Sequence, residues 1–239
     1  MMEMNYIPAH QFEIRFTNIL DFPSCMYDIV APFVQLTTGL RIENENSHNA
    51  IIHLFFKDTF DTISIRWDRI IYKSENHKDN LVGSKSFFQE PFLNLFAKIK
   101  GSKHFGQIKN ILYYSMFINI NEQIDLEESR KRFSENYFKD GINNIIPLKT
   151  DIGIVIEKTT SSGQVSLNMG PYSGPMEIQK HGKGNFIIED IDTLKNITGF
   201  GEIIILNILR NTNSFSFNDY KDLHLEAKSL TEQSWSNEQ

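Results

Sequence analysis

"QFEIRF", residues 11–16, decides how the rest of the chain is read. Phe12, Ile14 and Phe16 fall on one side, and Gln11, Glu13 and Arg15 on the other. A strict period of two over so short a segment marks a half-buried β-strand, apolar toward a core and polar toward water. The alternation returns in "TISIRW", 62–67, where Ile63, Ile65 and Trp67 oppose Ser64, Arg66 and the following Asp68. With "AIIHLFF", 50–56, it flanks "KDTFD", whose aspartates and short length suit the turn of a hairpin.

Further along, "NILYYSMFINI", 110–120, is apolar on both alternating faces, as a central strand covered on both sides would be. Helices come between. "EPFLNLFAKIKG", 90–101, sets Phe92, Leu95, Phe96 and Ile99 on one stripe, with Pro91 in the first turn and Gly101 just past the end. "DFPSCMYDIVAPFVQL", 21–36, reads as a helix interrupted near Pro32. "DLEESRKRFSENYF", 125–138, reads as a surface helix with Glu127–Lys131 and Glu128–Arg132 pairs, each worth about 0.3 kcal/mol.

The polar stretch 139–149 is the expected joint between two halves. Beyond it, "DIGIVIEK" and "QVSLNM" form a hairpin around "TTSSG", and "MEIQK" and "NFIIED" are two more candidate strands between Gly/Pro-rich turns. "GEIIILNILR", 201–210, is compatible with helix or strand by period. In "NDYKDLHLEAKSLTEQSW", Tyr220, Leu223, Ala227 and Leu230 make a helical stripe. Docking on the protein's own sheet is the plainer reading of that stripe, and a contact with a partner the alternative. The expected fold class is α+β, with antiparallel meanders packed by amphipathic helices in two similar halves. These span 1–140 and 150–239, one continuous domain being the alternative.

The bulk composition narrows function. A chain of 239 residues is long enough for a sizeable core, and 19 Phe and 8 Tyr supply much of its packing. The net charge of −6 argues against non-specific coating of nucleic acid, although a local basic face is not excluded by a sum. A single cysteine, Cys25, excludes an intrachain disulfide framework and an all-cysteine metal site. The N-terminus has no signal-peptide pattern, and no apolar run approaches the roughly 20 residues of a membrane span. A cytoplasmic, membrane-free protein is the expectation.

Residues that could carry chemistry are few. The seven histidines show no His-x-His or i,i+4 pair, and "QKHGKGNF", 179–186, lacks the phosphate-loop spacing. In "GNFIIEDIDTLKN", 184–196, alternation places Asp190 and Asp192 on one face, two oxygen ligands suited to Mg²⁺, with Glu189 pointing away. The plainer reading makes Asp192 a cap for the next turn and Asp190 a solvated strand end. Arg15, Arg66 and Arg69, beside aromatics on an open sheet, are the candidates for RNA or a small ligand.

The order of "QFEIRF", "TISIRWDRIIYK", "FLNLFAKI", "ILYYSMFINI", "FIIEDID" and "DLHLEAKSLTEQSW" resembles that of a sporadically distributed family of uncharacterised prokaryotic proteins. These short matches cover most of the length. The family's central strand usually carries an arginine before its tyrosine, whereas "LYYSMF" has Tyr113 and Tyr114. The resemblance implies no catalytic residues. The family's patchy distribution implies a mobile-element or phage-defence (antiviral) locus. The expected function is therefore a non-enzymatic binding or assembly component with a co-encoded protein partner or a second copy of itself. The alternatives are a metal-dependent hydrolase of nucleic acid or nucleotides using Asp190 and Asp192 with Mg²⁺, and an RNA- or ligand-binding module.

Overall fold

The alternating segment at 11–16 forms strand β1, His10–Phe16, near the middle of an extended sheet. The computed structural model describes residues 10–56, 61–74, 88–121, 123–138, 152–174, 176 and 199–236. Among these, nine strands make one antiparallel sheet accompanied by four α-helices, a mixed α+β fold. After β1 come α1 (Phe22–Val34), β2 (Gly39–Glu43), β3 (Ile51–Phe56), β4 (Asp61–Arg66) and β5 (Arg69–Ser74). A π-helical turn, Phe88–Phe92, leads into α2 (Leu93–Lys100). Then follow β6 (Ile108–Ile120), α3 (Leu126–Tyr137), β7 (Ile154–Thr160), β8 (Gly163–Ser173), β9 (Phe200–Asn211) and α4 (Phe217–Ser236).

The strand order is β2-β3-β4-β5-β1-β6-β9-β8-β7. β1 is followed by a helix and a meander whose last strand, β5, returns beside β1. β6 is likewise followed by a helix, and β9 returns beside β6. The pairing of β1 with β6 joins the two series into one sheet. The expected joint at 139–149 lies outside the described residues, as do most of "MEIQK" and all of "NFIIED".

Register explains the core. Ile42, Ile52, Ile65, Ile70, Ile14 and Ile111 stand opposite one another across six successive strands. Ile14, Ile52, Ile65 and Ile70 are completely buried, each contributing about 2 kcal/mol relative to exposure. Phe22 and Met26 of α1, Leu95 and Phe96 of α2, Phe133 of α3 and Leu223 of α4 belong to the same core.

Several local expectations are refined. α1 continues through Pro32, because Phe33 beyond it still packs into the core and outweighs one missing backbone bond. Trp67 leaves the strand and forms, with Asp68, the two-residue turn between β4 and β5. In α3, Asp125 caps the first turn by accepting from the Glu128 N–H at 2.8 Å, and Arg132 pairs with Glu128 at 2.9 Å. Lys131 reaches Glu135 at 4.0 Å, where a pair with Glu127 was expected. The 201–210 segment is strand β9, since it has a neighbour to bond on each side.

The β7–β8 hairpin is tighter than expected, with only Ser161 and Ser162 between Thr160 and Gly163. Gly163 has φ +155°, and a Cβ there would lie 1.9 Å from the Leu209 carbonyl oxygen on β9. β7 itself is an outer strand, exposed from Val155 to Thr160. Gly163→Ala is expected to force β8 away from β9 and lower stability by about 2 kcal/mol, read as a reduced urea midpoint.

Candidate functional site

The helix-side core residues leave the alternate residues of each strand on a second face. There Arg66, Arg69 and Arg15 stand in register on β4, β5 and β1. The row continues with Asn110 on β6 and Asn211 on β9. The adjacent row carries His53, Ser64, Ile71, Glu13, Leu112 and Leu209. A third carries Thr62, Lys73, Gln11, Tyr114 and Asn207. Alternation in separate segments thus brings together the three arginines named from the sequence.

Glu13 organises the cations. Its carboxylate is buried, with a side chain only 6% exposed. It accepts from Gln11 Nε2 at 2.7 Å, Arg15 Nε at 2.8 Å and the Arg69 guanidinium at 3.3 Å. A buried carboxylate tolerates desolvation only with such partners. Arg69 also donates to Asp68 at 2.8 Å. Burial alone would raise the Asp68 carboxyl, but bonding to Arg69 and the charges of Arg69 and Arg66 hold it below the ordinary value. His53 is held below the ordinary imidazole value, chiefly by burial, which outweighs the nearby Glu43 carboxylate.

Arg66 differs from its neighbours. It makes no ion pair within 4 Å among the described residues, and its Nε has no hydrogen-bond partner. Asn110 Oδ1, in the same row, also has none. Strand positions on this face and the adjoining turn place Arg15, Arg41, Arg66, Arg69 and Lys73 against Glu13, Glu43 and Asp68. Among the described residues, cations therefore outnumber acids on this part of the surface, in a chain whose net charge is −6. It is a surface of guanidinium and amide donors around a few apolar side chains.

The opposite side holds a different polar group beneath α4. Tyr113 and His224 Nδ1 are hydrogen-bonded at 2.8 Å, His10 bonds Ser115, and Tyr72 donates to Asp61 at 2.9 Å. All are buried. Burial and then the Asp61 charge push the Tyr72 hydroxyl well above its ordinary value, so it remains a neutral donor. Tyr220, Leu223 and Ala227 are at most 1% exposed and face this core, while Leu230 packs at its margin. The α4 stripe is thus packed within the chain, where the plainer of its two readings puts it.

Asp190 and Asp192 lie outside the described residues. Among the described residues, no group of three or more His, Cys, Asp or Glu side chains could hold a metal ion. No helix among them is long and apolar enough to cross a membrane. Sequence reading missed Glu13 as the hub, although Gln11 and Arg15 at i−2 and i+2 were its signal. It also left His224 out of the α4 stripe, despite its place four residues after Tyr220.

Two substitutions test this electrostatic arrangement. Glu13→Gln should destabilise the protein by about 1–3 kcal/mol in urea unfolding, because two guanidiniums lose a shared anion. Asp68→Asn should remove about 0.5–1 kcal/mol at neutral pH. Since the folded Asp68 carboxyl titrates below its unfolded value, its contribution is complete above about pH 4. It disappears as pH falls through the depressed value, so wild-type and variant unfolding curves should converge in acid. Neither a family model nor a curated protein matches the chain.

Proposed function

We propose that the protein is a non-enzymatic binding component of a prokaryotic system, working through the second face of its sheet. The observation that carries this reading is charge segregation: an acidic chain presents aligned arginines there. Electrostatic complementarity of this kind selects a partner and speeds its encounter. The two strand–helix–meander series support an origin as two similar halves divided before Ile108, and not at 139–149, with β1 and β6 as equivalent first strands. The resemblance to patchily distributed prokaryotic proteins directs the search for a partner to the neighbouring genes.

Co-expression with each adjacent gene product, followed by size-exclusion chromatography with light scattering, tests the reading. A complex of defined stoichiometry is expected, and Arg66→Glu should dissociate it while Lys98→Glu on α2 should not. Intact complexes in the Arg66 variant would overturn the face assignment. The hydrolase alternative makes a separate demand, because a bound Mg²⁺ must stabilise the native state by about 1.4 kcal/mol at tenfold its Kd. The melting temperature is expected to be unchanged by Mg²⁺. A rise abolished by Asp190→Asn with Asp192→Asn would overturn the non-enzymatic reading.

A further inference from the structure

We infer that the occupant of this face is a single-stranded nucleic acid, its phosphates held by Arg66, Arg69 and Arg15. The inference rests on the binding reading above and specifies its ligand. Three independent features point the same way.

The first is the cation row. Neighbouring strands lie about 4.8 Å apart, so the outer arginines of the row are separated by about 10 Å across the sheet. Guanidinium forks match phosphate oxygens in geometry as well as charge. Glu13 and Asp68 hold two of the forks in place, while Arg66 carries a charge that no described acid within 4 Å balances. The row is therefore partly preorganised and incompletely neutralised.

The second feature borders the first. Tyr114 stands between Gln11 and Asn207 on adjacent strands, and Asn110 and Asn211 extend the arginine row itself. Amide side chains pair with base edges, and Tyr114, half-buried where it packs on the margin of the Met116, Ile118 and Tyr172 cluster, offers the exposed part of its ring for stacking. An acidic peptide would use the cations but has no complement for this aromatic and amide margin.

The third feature is shape. On β6, β8 and β9 this face runs into a second small core of Met116, Ile118 and Tyr172, so the part left accessible is a strip over β4, β5, β1 and the start of β6, about 14 Å across. A strip of this kind accepts an unpaired strand laid along it, with bases free to splay onto the side chains.

The test is fluorescence anisotropy on the full chain with mixed-sequence oligonucleotides of about 20 nucleotides, RNA in one arm and DNA in the other. Unlabelled duplex and poly-glutamate serve as competitors. Binding of either single strand is expected, with a log–log salt slope of about −2 for three phosphate contacts. Arg66→Ala should weaken binding roughly tenfold and flatten the slope by about 0.7. Tyr114→Ala should weaken it with the slope unchanged, because stacking releases no counterions. Lys98→Ala should leave it unaltered, and urea midpoints of all three variants identify any that fail through folding.

Equal competition by poly-glutamate, or binding insensitive to both Arg66→Ala and Tyr114→Ala in folded protein, would overturn the inference. So would absence of binding in both arms. If oligonucleotides fail while Arg66→Glu still dissociates a co-encoded partner, the ligand class is wrong and the binding reading stands. If Arg66→Glu disturbs neither, the binding reading falls as well.

Discussion

The antiparallel pairing of β1 with β6 is the constraint from which the other features follow. Each strand closes its own series, β1 against β5 and β6 against β9. Their mutual ladder makes one sheet and sets a common parity from β2 to β7. A slip of one residue would turn Glu13 and Arg15 into the isoleucine layer and expose Ile14. The hydrophobic penalty of that inversion protects the register. The helices are then confined to the apolar side, and the arginines are aligned on the other, by the same fact.

Strands half-buried by this arrangement were the most legible part of the sequence. "QFEIRF" and "TISIRW" carry their facing in their own alternation. "NILYYSMFINI" declares a central place because its later residues, from Ser115 to Ile118, are buried on both sides. β9 was illegible for a related reason: "EIIILNIL" shows no simple period, and only its ladders to β6 and β8 identify it as strand. Pro32 misled in the other direction, since local propensity marked a break that packing of Phe33 overrides.

The candidate face was legible only in fragments. Arg15 and Arg66 could each be placed on a polar strand side, and Arg69 was named beside them. Nothing local says that 15, 66 and 69 share a row, because that depends on two ladders between distant segments. Net charge was no guide to this face for the same reason. A sum over the chain averages the acidic remainder with a positive strip, whereas recognition depends on where charges lie.

The exposed outer strand β7 has its own consequence. Two copies related by a twofold axis can extend a sheet edge to edge only with residues of equal parity opposite one another. For Ile154–Thr160 the full-length register is centred on Glu157, which sets that carboxylate against its own copy. Moving the axis by one residue sets Lys158 against Lys158 in one direction and Ile156 against Ile156 in the other. Like charges facing directly across a ladder destabilise it, and registers farther away lose backbone bonds. The one twofold register that would use the whole length of β7 is therefore disfavoured by a single residue, Glu157.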